Sequence, residues 1–133
     1  MSVLLLFLLA LFLSLPASAQ TFSYCTNQDR YTCVVDGDTI WLDGVKHRLK
    51  GFDTPEPRVR ICGGNRERAL ADKASARLIE LLNTKPWDLK TVGKDRHNRA
   101  LSILTINGRD VGDILISEGL AREWPDGDEF WCQ

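Results

Sequence analysis

A short acidic segment carries residue types that bind hard metal ions. The segment VVDGDTIWLDG, residues 34–44, contains three aspartates. Asp36 and Asp43 each precede a glycine, and an Asp-Gly pair supplies the left-handed backbone of a tight turn. Asp38 has no such local role, so its charge requires another explanation.

A second acidic segment, RLKGFDTPEP at residues 48–57, offers a partner for that charge. Asp53 and Glu56 stand in a loop that two prolines stiffen. If folding brings Asp38 and Asp53 together, they repel each other unless a cation lies between them. A site built only from oxygen atoms selects Ca²⁺ or Mg²⁺. We therefore predict that Asp38 and Asp53 bind a hard metal ion.

Two arginines near these acids would bind a phosphate, one on either side of the metal ion. Arg48 lies five residues before Asp53, and Arg99 ends the segment KDRHNR. Guanidinium groups donate paired hydrogen bonds to phosphate oxygens, which an ammonium group does not. The metal ion and the arginines would stabilise charge on the phosphate in the transition state, while Glu56 would take a proton from, or orient, the attacking water. This combination predicts hydrolysis of a phosphodiester.

The first twenty residues are typical of a secretory signal peptide. They contain no charged side chain, Val3–Leu15 form an apolar run, and Ala17-Ser18-Ala19 supplies the small residues that signal peptidase requires. The run is short for a membrane span. We expect cleavage near Ala19 or Gln20 and a secreted or periplasmic product, with an N-terminal membrane anchor as the alternative. Residues 21–133 then form one domain, because their length suits one core and is too short for two.

The mature part contains all four cysteines, namely Cys25, Cys33, Cys62 and Cys132. An even number in an exported chain favours disulfides over free thiols. Four cysteines can form two disulfides in three different ways, and the sequence does not choose between them. A zinc site is the alternative, but the chain has no Cys-x-x-Cys pair and neither histidine lies at ligand spacing from a cysteine.

Charge is unevenly distributed along a nearly neutral chain. The formal net charge is −1, yet residues 46–77 contain nine Lys or Arg against four Asp or Glu, and residues 110–133 contain one base against seven acids. A protein that binds polyanions through a general positive field would be basic throughout. The distribution instead indicates a localised phosphate site, and the alternative is ordinary variation of charge on solvated faces.

Short strands and two helices are predicted to position these residues. β-Branched and aromatic residues between turn signals predict strands at 31–35, 39–42, 45–49, 87–92 and 100–106. Apolar residues at helical spacing predict a helix over 66–82, and capping residues bound a short helix over 111–118. This order predicts an α+β, mostly β fold. It is that of a five-stranded OB-type Greek-key barrel with a helix between strands three and four and a short C-terminal helix.

The motifs, taken in order, resemble the staphylococcal nuclease (thermonuclease) family. They are Asp36-Gly37-Asp38-Thr39, then Arg48 with Asp53-Thr54-Pro55-Glu56, and then Asp95 to Arg99 before a strand. The resemblance implies an OB-type barrel. It also implies a Ca²⁺-dependent endonuclease that hydrolyses DNA and/or RNA and leaves 3′-phosphate ends.

The resemblance also implies a role for each matching residue. Asp38, Asp53 and the Thr54 carbonyl would bind Ca²⁺. Glu56 would act on the attacking water. The scissile phosphate would be contacted by Arg48 and Arg99.

Two features depart from the family's pattern. Members commonly have Tyr-Gly before the last arginine, whereas this chain has His97-Asn98, so His97 becomes a substrate-binding candidate and substrate preference is left open. The tail WPDGDEFWCQ is expected to replace the last helix of longer members, tethered through a disulfide of Cys132. Trp124 would either stack on a base or cover the core, and we favour the core because tryptophan is usually largely buried.

Two classes of function remain. The first is an exported phosphodiesterase that acts as a monomer on DNA or RNA, without stable membrane association after signal cleavage. The second is a catalytically inactive OB-type module that binds nucleic acid or a protein. Glu56, Arg48 and Arg99 favour the enzyme, since a binding module needs none of the three in register. The sequence does not distinguish DNA from RNA preference, or internal from terminal cleavage.

Overall fold

The structure is a computed structural model that describes residues 20–133. The signal-peptide prediction rests on residues 1–19, which lie outside this described part. Within residues 20–133, no helix is both long enough and apolar enough to cross a membrane.

Most of the described residues belong to short strands and two α-helices. In chain order these are β1 (Cys33–Asp36), β2 (Thr39–Leu42), β3 (Val45–Leu49), β4 (Phe52–Asp53), α1 (Gly64–Thr84), β5 (Trp87–Lys94), β6 (Ala100–Ile106), β7 (Arg109–Asp110), α2 (Val111–Ser117) and β8 (Arg122–Glu123), followed by a 3₁₀ turn at Phe130–Cys132. The bounds of β2, β3 and β6 are those predicted from the sequence. The three strands of two residues each were not predicted, because so short a segment has no periodicity.

The main sheet is mixed, with the strand order β1-β2-β3-β6-β5 and with β7 paired to β6. Strands β3 and β6 run parallel, and the other pairs in this sheet are antiparallel. The mostly β, α+β class and the helix between the third and fourth long strands are confirmed. Within the described residues no pairing joins β1 to β5, so the closed five-stranded barrel is not seen and stays a prediction.

The apolar core lies between this sheet and the two helices. Helix α1 contributes Leu78, Leu81 and Leu82, which share one helical face, and alternate residues of β6 contribute Leu104 and Ile106. The remaining buried members of this cluster are Phe22, Val34, Ile40, Leu49, Phe52, Val111, Leu115 and Ala121. The core therefore joins the acidic hairpin, the long helix and the C-terminal part of the chain into one packed unit.

The two hairpins that carry the aspartates turn differently. Between β2 and β3, Asp43 and Gly44 have φ values of 49° and 80°, which is the positive-φ pair predicted for a tight hairpin. Between β1 and β2, Asp36 pairs with Thr39, so Gly37 and Asp38 form the turn. The prediction that Asp36 supplies left-handed turn backbone is wrong, because Asp36 ends β1 beside a bulge and does not have a positive φ.

Gly37 allows the first hairpin to approach the loop that follows β4. A Cβ atom at residue 37 would lie 2.6 Å from Thr54 Cγ2 and 2.9 Å from Ala74 Cβ. Carbon atoms that are not bonded to each other do not approach this closely, so a side chain here would push the hairpin away from the loop and from α1. The missing side chain thus brings the two acidic segments together.

We expect Gly37→Ala to lower the free energy of unfolding by about 1 to 3 kcal/mol, because the added methyl group overpacks this contact. Gly93→Ala is the matched control, since nothing lies within 4 Å of a Cβ atom at that position of β5. Urea unfolding measures both variants. An equal loss of stability in the two would contradict the close packing of the hairpin against the loop.

Candidate active site

Asp38 joins the hairpin tip to the loop that follows β4. Its side chain is buried, its Oδ2 accepts a hydrogen bond from the Thr54 N–H at 3.0 Å, and its Oδ1 accepts one from Thr39 Oγ1 at 3.1 Å. Hydrogen bonds of this kind fix the orientation of the carboxylate. The two acidic segments singled out in the sequence therefore meet at Asp38 and Thr54.

Arg48 lies between the two aspartates that were predicted to share a cation. Its Nη1 is 3.4 Å from Asp38 Oδ2, and its Nη2 is 4.0 Å from Asp53 Oδ1. The same guanidinium donates to the carbonyl oxygens of Leu49 at 2.7 Å and Phe52 at 3.0 Å. Arg48 was expected on one flank of the aspartate pair. The structure instead places its charge between them, held there by the backbone of its own strand and of β4.

Asp36 belongs to the same group of acids, which the sequence analysis missed by assigning it to a turn. Its Oδ1 accepts a hydrogen bond from the Asp38 N–H at 3.2 Å. Burial raises the pKa of Asp36 well above its ordinary value, and the neighbouring charges of Asp38 and Glu56 raise it further. The Asp-x-Asp spacing was the sequence signal, since a turn centred on residues 37 and 38 keeps both acids at the hairpin tip.

Glu56 is the carboxyl group with the most useful protonation equilibrium. Burial raises its pKa to about 7, and the charges of Asp38, Asp53 and Glu67 add to the effect. Burial also raises the pKa of Asp53, although its hydrogen bond from Arg122 acts in the opposite direction. The pKa values of Asp36, Asp53 and Glu56 are thus all raised, first by burial and then by the charges of neighbouring acids, which arginine balances only in part.

The donor set at this site fits a hard cation. Carboxylate oxygens and a backbone carbonyl are the ligands that Ca²⁺ prefers. The Thr54 hydroxyl is buried and has no hydrogen-bond partner among the described residues, so an unsatisfied oxygen stands beside Asp38. Among His, Cys, Asp and Glu side chains of the described residues, one group places three ligand atoms within 4.8 Å of one another, and it lies away from this site, at Cys62, Glu129 and Cys132. Those two sulfurs are joined in a disulfide, which removes them as thiolate ligands.

Arg99 lies on the other side of the site, in a loop organised by Asp95. Its Nε donates to Asp95 Oδ2 at 2.6 Å and its backbone N–H donates to Asp95 Oδ1 at 2.9 Å. The His97 N–H donates to the same Oδ1, and His97 Nε2 accepts a hydrogen bond from Arg96. One carboxylate thus fixes the loop, while the Nη atoms of Arg99 have no partner within residues 20–133.

A cleft of about 670 Å³ is lined by four of the predicted site residues, whereas Asp38, Thr54 and Glu56 do not line it. Its walls include Arg48, Asp53, Arg60, His97, Arg99 and Trp124. The prediction that Trp124 covers the core is wrong, because the residue is 53% exposed and lines this cleft. The tail tryptophan that is buried is Trp131, whose position two residues from the chain end gave no sign of it.

Arg122 is a site residue that the sequence analysis did not identify. Its Nε donates to Asp53 Oδ2 at 2.9 Å, and its Nη2 lies 3.0 Å from Glu129 Oε1. The guanidinium carbon lies 5.2 Å from the ring centroid of Trp124, within reach of a cation–π interaction. Arg122 is the one base between residues 110 and 133, and that isolation was the available signal.

Glu67 fixes the backbone of the loop that runs from Glu56 to helix α1. Its carboxylate is fully buried and accepts the N–H groups of Cys62 at 2.8 Å, Gly63 at 3.1 Å and Glu56 at 3.3 Å. An acid in the first turn of α1 is also favoured by the helix dipole. The apolar spacing predicted a helix over this stretch but gave no sign that Glu67 faces inward.

The disulfides pair Cys25 with Cys33 and Cys62 with Cys132. The second tethers the C-terminal tail, as the sequence analysis expected of Cys132. Because the Cys62 backbone N–H also donates to Glu67, the tail, helix α1 and the Glu56 loop are joined at one point. Arg122 makes a second connection between the tail and Asp53.

Comparison with known proteins gives a family match and two relatives. The family model described as staphylococcal nuclease homologue matches residues 46–128. An "Uncharacterized endonuclease" of Haemophilus influenzae is 27% identical over 124 residues, which is 90% of this chain and 62% of the relative. The "Succinoglycan biosynthesis protein ExoI" of Rhizobium meliloti is 33% identical over 92 residues, which is 66% of this chain and 48% of the relative. The chain thus spans less than two thirds of the length of either relative.

The raised pKa of Glu56 predicts a specific pH dependence of stability when a chelator is present. The folded protein keeps a proton that the unfolded chain has lost between the ordinary pKa of 4.5 and a pKa of about 7. The free energy of unfolding therefore falls as pH rises through this window. In Glu56→Gln this contribution is absent. Solvent screening reduces this effect because Glu56 is only half-buried. Relative to wild type, the variant should gain on the order of 1 to 2 kcal/mol between about pH 5 and about pH 8.

Urea unfolding of both proteins at the two pH values measures this difference. Burial lowers the pKa of His47, which makes stability rise with pH, but His47 is common to both proteins and its contribution cancels. Glu80→Gln, on the exposed face of α1, is the control and should follow the wild type. Parallel pH profiles for Glu56→Gln and wild type would contradict the raised pKa.

Proposed function

The chain belongs to the staphylococcal nuclease family, and we propose from this premise that it is a nuclease that hydrolyses phosphodiester bonds of DNA and/or RNA with Ca²⁺. The observation that carries the proposal is one arrangement of three groups. Arg48 and Arg99 line one cleft, crowded aspartates lie beside it, and the adjoining loop holds a half-buried glutamate whose pKa is about 7.

We propose that Asp38, Asp53 and the Thr54 carbonyl hold the Ca²⁺, with Asp36 supporting Asp38 from the strand end. When bound, the ion supplies positive charge that polarises a phosphate oxygen. The chain itself contributes the oxygen ligands and their orientation. Asp38 is oriented by the Thr54 N–H and Asp53 by Arg122. Burial raises the pKa values of Asp36, Asp53 and Glu56, and their mutual repulsion adds to it; a cation bound among them would relieve that repulsion.

The two arginines bind the scissile phosphate in this proposal. The Nε of Arg99 is occupied by Asp95, which aims the remaining donors of its guanidinium at the cleft. Arg48 is fixed by the carbonyls of Leu49 and Phe52, so its position costs little to maintain when substrate binds. Donors that are already in place stabilise charge on phosphate oxygens without reorganisation during the reaction.

Glu56 accepts the proton of the attacking water. A general base is most effective when its pKa lies near the working pH, and a pKa of about 7 meets that condition. The Glu56 N–H donates a hydrogen bond to the Glu67 carboxylate, which fixes the backbone of the general base. The water oxygen bonds to phosphorus while the bond from phosphorus to the 5′ oxygen breaks. That oxygen takes a proton from solvent and leaves with the other half of the chain, and the phosphate stays on the 3′ end.

The cleft also offers groups for the nucleotide itself. The exposed ring of Trp124 provides a face on which a base stacks, and His97 lines the same cleft. Basic residues outnumber acidic ones in the cleft wall, which suits a polyanion. The bases are Arg48, Lys50, Arg60, Arg96 and Arg99, and the acids are Asp53 and Asp95.

We also propose that the protein is exported, to the periplasm or the medium, and acts there as a monomer without stable membrane association. Two disulfides among the described residues support an oxidising compartment. The apolar run and the small residues before Gln20 support cleavage by signal peptidase. Retention of this segment would instead give a protein anchored at the membrane.

We expect the purified protein to degrade plasmid DNA and RNA in Ca²⁺ and to stop when a chelator is added, because the crowded carboxylates require a cation. The products should carry 3′-phosphate ends, which end-labelling before and after phosphatase treatment reveals. Glu56→Ala should lose on the order of 10² to 10⁴ in rate if Glu56 is the general base.

Glu80→Ala removes an exposed carboxylate of α1 and should leave the rate unchanged. Full activity in Glu56→Ala would remove that residue from the mechanism. Intact nucleic acid in every condition, together with retained binding, would replace the nuclease by the inactive binding module.

A further inference from the structure

A second cleft, of about 440 Å³, lies beside the loop that carries Glu56. One wall is the N-terminal arm, by which we mean residues 20–32, and the others are β1, the loop after Glu56 and helix α1. The lining residues that matter are Tyr24, Arg30, Val35, Pro57, Arg58 and Asp72. None of them lines the first cleft.

The acidic group borders both clefts. Asp53 lines the first cleft, whereas Val35 and Pro57, the sequence neighbours of Asp36 and Glu56, line the second. The loop after Glu56 divides its arginines in the same way, with Arg58 in the second cleft and Arg60 in the first. A polymer cleaved at this point must continue on both sides of the bond, and the second cleft offers a path for the half outside the first cleft.

The second cleft carries side chains suited to a sugar-phosphate backbone. Arg30 and Arg58 are exposed, and neither forms an ion pair with any residue of the described part. Asp72 is the acid in this wall, which leaves the two arginines in excess. Tyr24 is 53% exposed, so an aromatic face stands beside the basic groups. Arginines with an adjacent aromatic ring are the usual means of binding single-stranded nucleic acid.

The N-terminal arm forms a fixed wall. The Cys25–Cys33 disulfide attaches it to β1, and the Val34 N–H donates to the Ser23 carbonyl at 2.8 Å. Phe22 is buried in the core, with its N–H and carbonyl both bound to the Asn83 side chain. The arm lies outside residues 46–128, so this wall is an addition to the region that the family match covers.

We propose that the second cleft binds the backbone of single-stranded DNA or RNA on the side of the scissile bond opposite the first cleft. Phosphates bind Arg30 and Arg58, and a base stacks on Tyr24. The proposal rests on the proposed nuclease function and adds an extended substrate-binding site to it.

The test compares KM for single-stranded oligonucleotides from dinucleotide to dodecanucleotide, in wild type and in Arg30→Ala/Arg58→Ala. KM should fall with length in the wild type, and this fall should be lost in the variant. For the dodecanucleotide, the slope of log KM against log salt should decrease by about 1 to 2, since each lost phosphate contact removes about 0.7 to 0.9 from it. Tyr24→Ala should raise KM about tenfold for the longer substrates only.

Two matched controls keep the result specific. Lys90→Ala/Arg109→Ala also removes two exposed positive charges, but outside both clefts, and Tyr31→Ala removes a second exposed tyrosine, near Gly44. Both should keep the wild-type length dependence. Retained length dependence and salt slope in Arg30→Ala/Arg58→Ala would overturn the second cleft while leaving the nuclease intact. Absence of cleavage by the wild type would instead overturn the proposed function, and this inference with it.

Discussion

Crowded negative charge between the first hairpin and the loop after β4 is the constraint on which the rest of the structure depends. Asp38 and Asp53 cannot approach each other without positive charge nearby, and Arg48 supplies it from between them. Arg122 donates a hydrogen bond to Oδ2 of Asp53. Burial nevertheless raises the pKa of Glu56 to about 7, and the charges of the neighbouring acids, which arginine compensates only in part, add to the effect. The remaining imbalance makes the group receptive to a metal ion.

Much of the fold could be predicted from local pattern. Strands β2, β3 and β6 have strong β-branched and apolar content between turn residues, and their bounds agree with the structure. Helix α1 carries a regular apolar stripe and was predicted within two residues at each end. The meeting of Asp38 with the second acidic segment was predicted only on the condition that the fold brings them together, and the hydrogen bond from the Thr54 N–H to Asp38 shows that the two segments do meet. Whether the sheet closes depends on pairing between distant edges, which local pattern does not encode.

The site residues that were missed act over long sequence separations or against a local rule. Arg122 bonds Asp53 across 69 residues, and no periodicity connects two such positions. Glu67 sits in a helix whose charged residues normally face solvent, yet it is buried because three backbone N–H groups need an acceptor. Asp36 precedes a glycine and was therefore assigned to the turn, but it ends β1 beside a bulge and pairs with Thr39. Trp124 is exposed and lines the first cleft, whereas the tail tryptophan that is buried is Trp131.

A crystal structure of the protein with Ca²⁺ tests the central claim most directly, namely that Asp38 and Asp53 share a hard cation. We expect an ion at about 2.3 to 2.6 Å from oxygens of both aspartates and of the Thr54 carbonyl, with the Arg48 guanidinium still bound to the carbonyls of Leu49 and Phe52. An ion bound elsewhere, with Arg48 still in contact with both aspartates, would contradict it.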